Sequence, residues 1–516
     1  MTVTVAAKNY TIISGCEIST DNGTWLILTT QDGDSKKQGS YSLCGIVKNA
    51  GDNIVTFTPT TSKDLSGVKH VRFWFLSTHG GLLNTYELNG LNFWASDGTN
   101  TGYWKILGKT KDGKADYPGG WINCVIDVSK ACDSGTKPTN MNAITSMGIR
   151  INLTVAGKNA INTWIDHLCM CDGLVAYGDD AGGYFDIDDI FTADDATTLG
   201  VGIVRKIGGQ YFLAGSLEIG YATSATKFQT KSSVLVFENR RVNDALYGIT
   251  VVDSGNVSYT TEFILGSKAG TAGIEGCMLR VQDPAQTCKY VIDGVTDIDV
   301  DNFKLYGTTF YDAAALKFPT AAAAVEVLNC NFESCDDVQT TTCVIKNCNF
   351  VSANDEGLVL PSGDTHQMTY CTFVNCPYGV RIPTAGTYSF NNLKFVNNTI
   401  DIDNTSGGLV TVNCTDSNPV TYTGNTVINS PRYFTITGLV AGSEVRIYKT
   451  SDMSELAGVE SSGTSFQYPY NYTGDIPITY AVFHVQYTAI YRTDTLVDAN
   501  KSVPAFQVYD RTYSNP

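Results

Sequence analysis

The sequence predicts an all-β chain in which two sandwiches flank a solenoid of parallel strands. Three observations carry that expectation. The stretch GLVLPSGDTHQMTYCTFVNC, residues 357–376, is echoed 22 residues later by GVRIPTAGTYSFNNLKFVNN. Short alternating apolar runs bounded by turn residues recur along the chain. Glycine and tyrosine are abundant, 49 and 28 of 516 residues, and 43% of the chain is hydrophobic. That is enough apolar material for a sizeable core, and the length suits two to four domains.

Residues 1–177 hold about eight strand-like runs at sandwich spacing, among them KHVRFWFLS, GLNFWAS, GWINCVIDVS and SMGIRINLT. The last, TWIDHLCMCDGL, resembles the closing strand of jelly-roll carbohydrate-binding and laminin-G-like modules. That resemblance implies an N-terminal jelly-roll sandwich. Trp74, Trp94, Tyr103, Trp104 and Trp121 cluster in this module. Aromatic rings there could stack on sugars; the favoured reading places them in the core and at its edges.

Residues 178–430 are expected to form a capped right-handed parallel β-helix. The segment opens on GDDAGGYFDIDDIFTADDATTLG, whose seven aspartates could ligate calcium. The spacing is not that of an EF-hand loop. A solvated linker with a short helix at residues 191–198 is preferred, aspartates being favoured at a helix start. The repeat follows. Phe332, Phe350, Phe373 and Phe395 are spaced by 18, 23 and 22 residues, and six weak units cover residues 300–420. A period of this length marks a solenoid. The leucine-rich skeleton and its helix are missing, and β-branched and aromatic residues dominate, so each unit reads as a coil of about three short strands. Cys330, Cys348, Cys371, Leu393 and Cys414 are assigned to one stacked column, the phenylalanines to another. Asn329, Asn347, Asn392 and Asn413 flank the cysteines as a side-chain ladder. The cysteines are read as small buried hydrophobes, since Leu393 replaces one and no zinc spacing is completed.

Residues 431–516 change character. ITGLVAGSEVRIYKTSD, ITYAVFHVQYTAIYRT and SVPAFQVYDRTYSNP read as a small antiparallel β-sandwich. The first of these runs resembles compact C-terminal domains of phage structural proteins. The whole order, jelly-roll, β-helix, small sandwich, is similar to bacteriophage virion proteins of the tailspike and head-decoration kind. That resemblance implies a non-enzymatic structural protein that decorates or stabilises a capsid or forms a fibre. Its partners would be other capsid or tail proteins, and its location the virion, assembled in host cytoplasm. The alternative is a tailspike-type adhesin or depolymerase that binds or cleaves a host surface polysaccharide. Homo-oligomerisation is left open.

Composition narrows the partners. A net charge of −16 and a pI near 4.7 argue against nucleic acid, whose binders present basic patches, and more weakly against anionic membranes. Fifteen cysteines scattered through strand-like runs suit a reducing compartment. The opening MTVTVAAKNY lacks the basic and apolar regions of a signal peptide, and no apolar run reaches 18 residues.

For catalysis, the carboxylates Asp336 and Asp337, Asp355 and Glu356, and Asp364 are the candidates. Glycoside hydrolysis needs two carboxyls about 5 to 9.5 Å apart. Asp336 and Asp337, and Asp355 and Glu356, lie where turns are expected, and turns favour aspartate anyway. Arg381 is the one basic residue on a clean rung strand and has no acidic neighbour in sequence. His70, His79, His167, His366 and His484 form no triad or metal spacing, and no P-loop, dinucleotide fingerprint or nucleophile elbow is present. No catalytic, cofactor-binding or metal residue is assigned, and no cofactor is expected.

Overall fold

The structure, a computed structural model, describes residues 3–78, 90–106, 120–155, 162–195, 199–221, 223–238, 247–252, 260–268, 274–282, 289–294, 300–318, 324–339, 344–360, 367–415, 417, 419–429, 431–471, 474–497 and 499–510. The chain is all-β apart from a single α-helix among the described residues.

Three long sheets build the central body. The first runs from Gly173–Tyr177 through Ser216–Ile219 and Glu356–Val359 to Ile400–Asn404. The second ends in Asn331–Glu333, Asn349–Val351, Thr372–Val374 and Lys394–Val396. The third runs from Thr226–Thr230 to Thr426–Asn429. Successive rungs pair in parallel and in register, Phe332 on Phe350, Phe350 on Phe373 and Phe373 on Phe395. The four rings stack with centroids 4.8 to 5.2 Å apart and planes within 12° of parallel. Rung spacing in a parallel sheet is about 4.8 Å, so a column of identical residues brings their rings into contact at every step. A second column, Phe185, Phe228, Phe263 and Phe303, lines another corner of the same core.

Two features of the rung differ from expectation. Cys330, Cys348, Cys371 and Leu393 are buried and each stands two residues before a stacked phenylalanine. Cys414 is buried too, but it pairs with Phe390 in the third sheet. The last rung therefore reaches Cys414 one strand early. Three of the asparagines are corner residues and not a ladder within strands: Asn329, Asn347 and Asn392, with Tyr370 at the same corner, have φ between 54° and 57°, whereas Asn413 lies in the strand Val410–Thr415 and accepts from Asn429 of the next rung at 2.9 Å. A second corner recurs at Asp312, Ser334, Ser352, Asn375 and Asn397, with φ between 51° and 56°. Asparagine tolerates this left-handed region better than other non-glycine residues. Asparagine thus recurs because the chain must bend there, and the released N–H groups bond across rungs, Asn329 to the carbonyl of Lys346 and Asn347 to that of Thr369.

The helix spans Ile187–Asp194, earlier than the expected 191–198. Asp186 caps it, accepting from the N–H groups of Asp188 and Asp189, and Asp189 returns the bond to the Asp186 N–H. This reciprocal box selects the start. The acidic run is consumed locally. Asp188 takes Lys206 and the Tyr211 hydroxyl, and buried Asp194 accepts from the N–H groups of Gly202 and Val204.

The N-terminal sandwich has two antiparallel sheets closed on a core of Phe57, Phe73, Phe75, Phe93, Ile149 and Ile165. One sheet contains Ile122–Asp127, His70–Ser77, Asn162–Met170, Ser42–Ile46 and Leu28–Asp32. The other contains Thr101–Lys105, Leu91–Ser96, Ser146–Leu153, Gly51–Pro59 and Gly23–Leu26. The run TWIDHLCMCDGLVAYG is split: Asn162–Met170 belongs to the sandwich, whereas Gly173–Tyr177 opens the first sheet of the β-helix, where Thr4–Lys8 pairs with it antiparallel.

The outer face of the first sandwich sheet packs on the start of the β-helix. Buried Arg72 donates to the carbonyls of Cys171 and Ala214 at 2.8 and 2.6 Å, and Asn123 donates to that of Val201. Trp74 lies over Gly202, whose φ is 72° and where a Cβ would sit 2.1 Å from the ring.

The C-terminal unit sets Ser465–Asn471, Pro431–Thr437 and Lys501–Pro504 against Glu455–Val459, Glu444–Lys449, Ile476–His484 and Tyr487–Leu496. Phe434, Ile436, Val445, Ile447, Ile478 and Val482 fill the space between the two sheets. The expected antiparallel pattern holds except where Pro431–Thr437 meets Lys501–Pro504 in parallel.

Candidate functional site

The outer face of the first β-helix sheet carries a network of three carboxylates around one arginine. In Tyr378–Ile382, Val380 and Ile382 point into the core, which turns Arg381 outward. Arg381 is registered with Val359 on one side and Asp403 on the other. Its Nη1 donates to Glu356 at 2.6 Å and to Asp355 at 3.2 Å, its Nε donates to Asp403 at 2.9 Å, and its guanidinium lies 4.6 Å from the Tyr378 ring. Thr423 donates its hydroxyl to the other oxygen of Asp403. So Arg381, acid-poor in its own stretch of sequence, is the centre of three carboxylates. The signal is the period: Asp403 is 22 residues from Arg381 and Glu356 is 25, close to one rung each way.

Burial sets the chemistry of this cluster. Glu356 opens the strand Glu356–Val359 and is 7% exposed, while the Asp355 side chain is 56% exposed in the preceding bend. Loss of water, the hydrogen bond with Asp355 and the nearby charge of Asp337 push the Glu356 carboxyl up to about 7, against the pull of Arg381. A carboxyl poised near neutral pH, beside one that is open to water, suits proton transfer. One rung earlier, Asp336 is bound by Lys289 and Asp337 by Gln339. Asp364 and His366, like His79, lie outside the described residues.

The aromatic residues of the sandwich separate into different environments. Trp104 is in the core, 1% exposed. Trp74 is committed to the β-helix junction, and Trp121 is half-buried. Trp94 and Tyr103 are cross-strand neighbours on the outer face of the second sandwich sheet. Trp94 lies flat there, its Nε1 donating to the carbonyl of Val55 at 3.2 Å. Gly148 makes this possible, since a Cβ at that position would meet both groups. Among the histidines, His167 accepts or donates to the Tyr10 hydroxyl at 2.9 Å, and His70 is buried against Tyr247. No cluster of three or more metal-ligating side chains occurs among the described residues.

Residues 292–400 match the family model for a right-handed β-helix region, the part of the chain that contains the stacked phenylalanines from Phe332 to Phe395 together with Asp355, Glu356 and Arg381. No curated protein matches. Among solved structures, the chain is similar to one of carbohydrate-binding modules from the β-sandwich superfamily, at 13% identity and a TM-score of 0.16, over 32% of this chain and 55% of that one. It is also similar to an exo-β-agarase, at 9% identity and a TM-score of 0.23, over 39% of this chain and 35% of that one. A third is SGBP-B from a complex xyloglucan utilization locus in Bacteroides uniformis, at 13% identity and a TM-score of 0.18, over 29% of this chain and 45% of that one. The chain thus spans about half or less of the length of these structures.

Proposed function

We propose that this protein engages a polysaccharide along the outer face of its β-helix and is equipped to cleave it at the Glu356–Arg381 rungs. The observation that carries the reading is Glu356: a nearly buried carboxyl held near neutrality, next to an exposed Asp355 and bridged by Arg381 to Asp403. In a hydrolysis, Glu356 gives its proton to the glycosidic oxygen as the bond to the sugar carbon breaks. Water adds to that carbon and returns its proton to Glu356; Asp355, hydrogen-bonded to Glu356 and on the same Arg381 nitrogen, is closer than two catalytic carboxyls stand and serves to hold the Glu356 proton. Arg381 keeps the two acidic rungs in register, and Tyr378 supports the guanidinium from below.

The test is incubation of the full chain and of Glu356→Gln with a panel of neutral and acidic polysaccharides, read as release of reducing ends. Turnover by the natural protein that falls at least about a hundredfold in the variant supports the reading. Turnover unchanged in Glu356→Gln removes the acid role, and absence of both binding and turnover across the panel removes the polysaccharide.

A second reading follows from the C-terminal sandwich, where Val485, Phe506, Val508 and Tyr491 are between 65% and 78% exposed. Large exposed apolar side chains at one end favour an assembly contact. An assembly contact is what the expected structural role would need, with capsid or tail proteins as the proposed partners. Removal of residues 431–516 would then abolish incorporation into particles.

A further inference from the structure

The sandwich presents two outer faces with different fates. The face with Arg72, Trp74 and Asn123 is covered by the β-helix. The opposite face, carried by Leu91–Ser96 and Ser146–Leu153, pairs with no strand of the β-helix among the described residues. Leu91, Phe93 and Ala95 point into the core, as do Ile149, Ile151 and Leu153, so Asn92, Trp94, Arg150 and Asn152 share the outer side.

These outward residues hold a group of polar atoms without partners. Asn92 is 1% exposed, yet both its Nδ2 and its Oδ1 lack a hydrogen bond. It is registered directly opposite Arg150, whose Nε is also buried and unpaired. Two residues along, the Oδ1 of Asn152 is unpaired as well. The remaining polar atoms nearby are engaged: Arg150 Nη2 and Asn152 Nδ2 both donate to Asp52 at 2.5 Å, and the Arg150 guanidinium lies 5.0 Å from the Tyr103 ring. A buried polar group left without a partner costs about 1 to 3 kcal/mol. Unpaired groups gathered just beneath this outer face beside Trp94 therefore mark a place where a ligand that reaches them completes the bonding.

We propose that Asn92, Arg150 and Asn152 form a binding subsite for the vicinal hydroxyls of an uncharged saccharide. The inference rests on the reading that the protein engages a polysaccharide. The unpaired set contains donors, Asn92 Nδ2 and Arg150 Nε, and acceptors, Asn92 Oδ1 and Asn152 Oδ1. A hydroxyl both donates and accepts, so adjacent hydroxyls satisfy both kinds. A carboxylate or sulfate only accepts and would leave the two amide oxygens facing lone pairs. The charge of Arg150 is already met by Asp52, and the chain as a whole carries −16, which disfavours an anionic polymer.

The test is affinity electrophoresis of the full chain in gels containing a neutral galactan, glucan or mannan, or polygalacturonate. Asn92→Leu and Asn152→Ala are compared with the natural protein, and folding is checked by the emission of the six tryptophans, all of which lie in residues 25–164. Asn92→Leu replaces an unpaired amide by an apolar group of similar size, so the fold is retained. The expected result is retardation by a neutral polymer that weakens at least about tenfold in both variants, one lost hydrogen-bonded group being worth about that factor. Retardation by polygalacturonate instead, lost at high salt, overturns the uncharged class. Unchanged retardation of both folded variants overturns the subsite alone. No retardation of the natural protein by any polymer overturns the polysaccharide reading together with it.

Discussion

Replacing Phe373 by alanine tests the rung architecture most directly. Phe373 is fully buried and stacks on Phe350 at 4.8 Å and on Phe395 at 5.2 Å, with planes 8° and 12° from parallel. Burial of a phenylalanine side chain is worth about 1.5 to 3 kcal/mol, and each ring pair adds about 0.5 to 1.5 kcal/mol. The neighbours are fixed by parallel pairing above and below, so the site cannot collapse to fill the hole, and the cost is about 3 to 5 kcal/mol. The tryptophans lie outside the β-helix and are blind to this change. Thiols report it: Cys348 and Cys371 are buried one rung apart and donate to backbone carbonyls. Labelling of these thiols under native conditions should accelerate by about a hundredfold to a few thousandfold, at 1.4 kcal/mol per factor of ten. Phe373→Leu should recover most of the protection. An unchanged labelling rate would refute the interior column, and with it the register of the second sheet.

The corners and the sandwich make two further predictions. Asn347, at φ 54°, should tolerate glycine with little loss, whereas valine should cost about 1 to 2 kcal/mol, read as a shift in the urea midpoint. Burial pushes the Asp166 carboxyl, which accepts from the N–H groups of Lys37 and Gln38, up to about 7. A folded-state value above the unfolded one means that the folded protein holds the proton more tightly. The stability from Asp166 is therefore full below about pH 4 and is lost as pH rises toward 7. Asp166→Asn should flatten the pH dependence between those values in chemical denaturation, and an unchanged slope would contradict the burial.

Much of the β-helix was legible in the chain because a rung repeats its own environment. A position that faces the core in one rung faces it in the next, so Phe332, Phe350, Phe373 and Phe395 record the register in their spacing. The corners were legible only in part. Asparagine recurred, but its role as a bend and not a ladder depends on φ, which Tyr370 and Ser352 share without sharing the side chain. The helix start was missed by four residues because Asp186 and Asp189 cap it reciprocally, and several aspartates in that run could have done so.

Taken alone, the sequence determined the all-β class, the period and the buried identity of the phenylalanine and cysteine columns, since these follow from local alternation and repetition. Only the tertiary structure decided where the charges meet. Arg381 lies 25 residues from Glu356 and 22 from Asp403, and nothing local to any of the three reveals the contact; winding the chain once per rung places them about one strand spacing apart. The same holds for the sandwich. Trp74, Trp94 and Trp104 look alike in sequence, and each sits in a strand. Sheet pairing and the docking of one face on the β-helix separate them into a junction residue, an outer-face residue and a core residue. Alternation tells which residues share a side of a strand, but only the packing of whole sheets tells which side the β-helix covers.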